Sequence, residues 1–140
     1  MSAPFVDTDV IIRLLTGDDP VKQEAAKALF QRIEEGKLTV AAPDTVIADA
    51  VFVLSSTKWY HLPRPQVSAL LLPLVRLPHF RIRNRRALLR ALQLYAITNL
   101  DFSDLFIAAS MQQARSQTLY SYDRGFDRLP GISRKEPERP

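Results

Sequence analysis

The chain has 140 residues, 46% hydrophobic and 24% charged, with a formal net charge of +4 and no cysteine. That length and balance suit one globular domain with a sizeable core, and the missing cysteines exclude disulfides and thiolate metal sites. No apolar run approaches the roughly 18 residues of a membrane span, and the opening MSAPFVDTDV lacks a signal-peptide pattern, so a cytoplasmic protein is the expectation.

Taken in chain order, Phe5-Val6 reads as a short strand ending at Asp7, and Val10, Ile11, Leu14 and Leu15 continue at helical spacing. Asp19-Pro20 is an N-cap and first-turn signal for a helix over 20–35, with Val21, Ala25, Leu29 and Ile33 as its apolar stripe and Gly36 as its stop. Leu38–Ala42 reads as a buried strand. Pro43-Asp44 opens a helix over 44–56, and residues 63–76 form another, with Pro73 as a kink or stop. A strand at His79–Ile82, helices over 85–97 and 103–115 and a strand at Thr118–Tyr122 follow. A loop near 123–130, an edge strand at 131–133 and a charged, frayed tail over 134–140 complete the chain. Helices between strands predict βαβ units and a mainly parallel sheet covered on both faces, with ligands at the carboxyl ends of its strands.

Four acids have telling places in that plan. Asp7 and Asp123 each follow a strand directly. On a wheel of about 100° per residue, Asp49 falls on the border of an apolar arc, which predicts a half-buried carboxylate. Asp104 has Ile107, Ala108 and Met111 on its own side of a helix that Asp101 and Ser103 already suffice to cap. Carboxylates converging at one strand edge repel unless a cation lies among them. With all-oxygen donors, and His61 and His79 isolated, the hard ions Mg²⁺ or Mn²⁺ suit better than zinc. Such ions can polarise a phosphodiester and acidify an attacking water. Between Arg76 and Arg90 lie six arginines and no acid. That cluster reads either as a solvated face or as a phosphate-contacting surface, with Arg81, Arg83, Arg85 and Arg86 as the RNA-binding candidates. No glycine-rich phosphate loop is present, so no nucleotide cofactor is expected.

The segments FVDTDVIIRLL, TVIADAVFVL, LDFSDLFIAAS and LYSYDRGFDRLPGI resemble, in order and over nearly the whole chain, those of PIN domains, in particular the VapC-type toxins of toxin–antitoxin modules. The resemblance implies an α/β, three-layer α/β/α sandwich with a central, mainly parallel sheet of four to five strands, the domain covering residues 1–133. It also implies a Mg²⁺/Mn²⁺-dependent endoribonuclease that hydrolyses RNA to leave a 5′-phosphate and a 3′-hydroxyl, a cognate antitoxin and a homodimer. Carried over by position, Asp7 and Asp104 would be central metal ligands and catalytic acids. Asp49 and Asp123 would complete the pocket, and Thr8 and Ser121 would support it through their hydroxyls. Three positions depart from the pattern: Asp49 stands where Glu is usual, Asp9 where Asn is usual, and Gly125 where an acid often follows. An antitoxin would lay an amphipathic segment near the pocket, with Trp59, Tyr60 and Leu62 as apolar candidates. A non-catalytic PIN-fold module that binds RNA or protein, or a PIN nuclease of RNA processing, are the alternatives.

Overall fold

The structure is a computed structural model that describes residues 2–140. Its layout starts at the N-terminus, where the Ala41 amide donates to the Pro4 carbonyl at 2.8 Å and the Val6 amide to the Ala41 carbonyl at 3.0 Å. Those two bonds lay Phe5 in parallel against Ala41. Helix α1 (Thr8–Leu15) follows and turns at Thr16 into α2 (Pro20–Glu34). Asp19 caps α2 by accepting from the Lys22 amide at 3.1 Å. The predicted stripe of α2 is rotated by about one residue: Ala26, Phe30 and Ile33 are buried, and Val21 lies in solvent. Phe30 decides this, because its ring packs edge-on against Phe80 with centroids 5.7 Å apart and carries more apolar area than Val21 or Ala25.

The chain continues through β1 (Val40–Ala42), α3 (Thr45–Ser55), α4 (Arg64–Val75), β2 (Phe80–Ile82), α5 (Arg85–Ile97) and α6 (Phe102–Ala114). Pro73 lies inside the last turn of α4 and does not end it. Strands β1 and β2 pair in parallel, Val40 to Phe80 and Ala42 to Ile82, and those four side chains are buried with Val6. Leu88, Leu92, Tyr95, Phe102 and Leu105 close the core from α5 and α6.

The C-terminal part departs from the expected sheet. β3 (Thr118–Tyr120) pairs in parallel with β4 (Ser133–Lys135), and the two stand apart from β1 and β2. The α/β class and the parallel sense are observed, but a continuous central sheet of four to five strands is not. Thr118 and Tyr120 are exposed and only Leu119 is partly covered, so β3 has no apolar face to bury beside Val6. The edge strand expected over 131–133 forms two residues later, which takes Arg134 and Lys135 out of the expected tail. Arg134 holds it there, donating to Asp127 at 3.0 Å and to the Ser121 carbonyl at 2.9 Å. Among the described residues no helix is long and apolar enough to cross a membrane.

Candidate active site

Asp7 occupies the N-cap of α1, and its carboxylate accepts from the Thr8 amide at 2.6 Å. The Thr8 hydroxyl donates to the Val46 carbonyl at 3.3 Å, which holds the start of α1 against the first turn of α3. Asp49 lies one turn further along α3. Asp7, Thr8, Asp9 and Asp49 therefore share a cleft of about 690 Å³ with the segment Lys58–Tyr60. Asp49 is exposed, not half-buried as the wheel predicts. The flank of α3 that carries it also carries the half-buried Val53, and that flank faces the cleft instead of the core.

Asp104 sits in the first turn of α6 and is half-buried. Burial, then the charges of Asp123 and Asp101, push its carboxyl above the ordinary value, and a hydrogen bond with Asp123 acts in the same direction. The helix flank around it is more open than predicted, for Ile107 is 42% exposed. The capping reading of Asp101 and Ser103 is also corrected. Asp101 holds the N-cap position without a side-chain capping bond, and both residues line a second groove, beside Phe52 and Arg64.

Asp123 is fixed by its own turn. Its Oδ1 accepts from the Gly125 amide at 2.8 Å, and its amide donates to the Ser121 hydroxyl at 3.0 Å. The hydroxyls of Thr8 and Ser121 thus bond to backbone groups and hold no carboxylate directly. A Cβ at position 125 would stand 3.0 Å from Asp123 Oδ1 and 3.5 Å from Leu100, so the departure at Gly125 leaves room for the aspartate beside it.

The four acids accordingly fall in two groups: Asp7 and Asp49 line one cleft, and Asp104 stands under the charge of Asp123. Among the described residues no three His, Cys, Asp or Glu side chains converge closely enough to hold an ion as they stand. The strands that lead to Asp7 and Asp123 belong to separate sheets, so no ladder sets these two acids side by side. Donor chemistry nonetheless fits a hard divalent cation. All donors are carboxylate oxygens, and the repulsion acting on Asp104 is of the kind a cation relieves.

Of the basic candidates, Arg81, Arg83 and Arg86 are exposed. Arg85 is turned inward, donating to the Leu77 carbonyl at 3.0 Å and the Phe80 carbonyl at 2.5 Å, with a buried and unpartnered Nε. It is a structural residue that braces the turn into β2.

Sequence reasoning missed Arg64. Its guanidinium lies 3.7 Å from the Tyr95 ring centroid, its Nε donates to the Tyr95 carbonyl at 2.8 Å, and its Nη2 donates to the Leu100 carbonyl. Arg64 thereby ties α4 to the end of α5 and to the loop that delivers Asp101 and Asp104. The one available signal was a cation in the first turn of a helix, where the dipole disfavours it.

No curated protein sequence matches the chain closely enough to count as a relative. The PIN domain model matches residues 5–132, nearly the whole chain, and with the acids of its four segments disposed as described, the protein belongs to the PIN domain family.

Proposed function

We propose that this chain is a Mg²⁺/Mn²⁺-dependent endoribonuclease and the toxin of a toxin–antitoxin pair, working as a homodimer that a cognate antitoxin silences. PIN domains are generally nucleases, which supports hydrolysis of phosphodiester bonds. The observation that carries the reading is the cleft shared by Asp7 and Asp49 together with Asp104 at the start of α6, which the charges of Asp123 and Asp101 repel. A divalent cation bound there supplies polarisation of the scissile phosphate and acidification of the attacking water.

The chain's own residues do the rest. Asp7, Asp49, Asp104 and Asp123 would hold the cation, and the hydroxyls of Thr8 and Ser121 fix the backbone that carries Asp7 and Asp123. The exposed Arg81, Arg83 and Arg86 draw the polyanionic strand toward the domain.

The test is cleavage of a single-stranded RNA by the purified chain with and without Mn²⁺. Loss of cleavage in both Asp7→Asn and Asp104→Asn, each still folded, is the expected result, and unchanged cleavage by both refutes it. One observation favours a second reading, a PIN-fold module that binds without cutting: among the described residues no three acids cluster as they stand. A melting temperature indifferent to millimolar Mn²⁺ would select it, because a ligand of the folded state raises that temperature. Growth arrest on expression, relieved by a small neighbouring gene product, separates a toxin from a nuclease of RNA processing.

A further inference from the structure

The cleft that holds Asp7 and Asp49 has a second wall, made by the turn after α3. That turn is firmly built. The Ser56 carbonyl accepts from the Trp59 amide at 3.1 Å and from the His61 amide at 2.9 Å. The Ser56 hydroxyl accepts from the Lys58 amide at 3.2 Å, and His61 takes φ 47° to close the turn. Next to it, the Tyr60 hydroxyl donates to Asp18 Oδ2 at 2.8 Å, while Thr16 donates to Asp18 Oδ1 at 2.9 Å and Arg13 lies 3.3 Å from the same oxygen. Tyr60 is thus spent on pinning the turn to the α1–α2 junction, and Leu62 lines the other groove. Of the three apolar residues singled out in the sequence, only Trp59 stands at the cleft with its ring uncommitted, 55% exposed.

We propose, resting on the ribonuclease reading above, that this wall is a nucleotide subsite: Trp59 stacks one unpaired base of a single-stranded RNA, and Lys58 takes an adjoining phosphate, with the carboxylates Asp7 and Asp49 across the cleft. An indole offers a flat face that any base can cover, and unpaired bases are the ones free to do so. A volume of about 690 Å³ lies in the range of small-ligand sites. Lys58 makes no ion pair among the described residues, so its charge is available. A rigid turn that presents an aromatic face and a cation in the same cleft as two acids fits a nucleotide, with phosphate toward the cation, better than an apolar peptide.

Trp59 is the only tryptophan in the chain, so its emission reports the subsite directly. A labelled single-stranded 2′-O-methyl decaribonucleotide is titrated into the full chain, with and without Mn²⁺, and followed by anisotropy and by tryptophan fluorescence. We expect saturable quenching, binding about tenfold weaker in Trp59→Ala and nearly restored in Trp59→Phe. We also expect weak binding of the same sequence annealed to its complement. Lys58→Ala should lower the slope of log affinity against log salt by about 0.7. Matching far-UV spectra and melting temperatures exclude misfolding of either variant. Unaltered fluorescence, or Trp59→Ala binding as tightly as the wild type, overturns the subsite and leaves the indole to a protein partner. Quenching that stands in a chain unable to cleave RNA upholds the subsite and refutes the nuclease reading instead.

Discussion

The two carboxylate pairs are built from the same residue type and behave differently. Asp7 is exposed, and its charge is met by the amide that it caps, while Asp49, also exposed, lines the same open cleft. Asp104 is half-buried, and the charges of the exposed Asp123 and of Asp101 both act on it. One pair is solvated, and in the other a half-buried carboxyl stands under the repulsion of its neighbours. Electrostatic strain therefore lies at the start of α6, and removing charge there should favour folding even where it abolishes function.

The largest effect should come from breaking that contrast. Asp7→Asn and Asp104→Asn should both reduce Mn²⁺-dependent cleavage by about a hundredfold or more, yet differ in stability. Asparagine caps a helix as well as aspartate, so Asp7→Asn should leave the melting temperature unchanged. Asp104→Asn should raise it by about 2 °C at neutral pH, roughly 0.5 kcal/mol in a domain of this size. The sign follows from linkage. With its carboxyl raised in the folded state, Asp104 binds more protons folded than unfolded, between the unfolded and folded values, and its contribution to stability falls as pH rises through that window. The advantage of Asp104→Asn should accordingly shrink as pH is lowered toward the ordinary carboxylate value. Calorimetric melting of both variants from neutral to mildly acidic pH checks it, and a destabilised Asp104→Asn breaks the comparison.

Next in size is Arg64. Two hydrogen bonds from a guanidinium and a cation–π contact would be lost together in Arg64→Ala, for about 2–3 kcal/mol measured by urea unfolding. Arg64→Lys should recover only part, because an ammonium can sit over Tyr95 but cannot span both carbonyls. The lost brace lies on the strained side, so cleavage should fall in Arg64→Ala even where the protein remains folded.

Arg64 also shows why half of the site was hidden in the sequence. The helices were legible within one to two residues because periodicity and caps such as Asp19-Pro20 are local signals. The four acids stood out for the same reason, each at a strand end or on a helix flank. Partnership was not legible. Three-residue strands carry no local mark of their neighbour, so the split between β1–β2 and β3–β4, and with it the pairing of the acids, depended on contacts far apart in the chain. Arg64 reaches carbonyls 31 and 36 residues away, and Arg134 anchors a strand in what composition marks as a frayed tail. Charge alone could not separate Arg85, turned into the fold, from Arg83, left in solvent.

That last distinction gives a smaller and cleaner test. Arg85→Ala should cost about 1–2 kcal/mol, since it removes a charged donor from two backbone carbonyls. Arg83→Ala should change stability by less than about 0.5 kcal/mol, while lowering the salt dependence of RNA binding by about one phosphate contact. Equal stability losses for the two would erase the division between bracing and strand-drawing arginines.

The smallest effect concerns the turn that fixes Asp123. A methyl group at position 125 would sit 3.0 Å from the Asp123 carboxylate and 3.5 Å from Leu100, which is closer than ordinary contact for the first. Because Gly125 has ordinary backbone angles, a substitution there is opposed only by this crowding, and the side chain that can yield is Asp123 itself. Gly125→Ala should therefore swing the Asp123 carboxylate off its bond to the residue 125 amide. The cost in stability should be about 1 kcal/mol or less, since relief of repulsion at Asp104 offsets part of the lost bond. Gly17→Ala is the control, with the nearest atom 4.0 Å away, and should be neutral or slightly stabilising through the unfolded chain. If the strained pair is what function requires, Gly125→Ala will lose several-fold in cleavage at a nearly unchanged melting temperature, and Gly17→Ala will lose none.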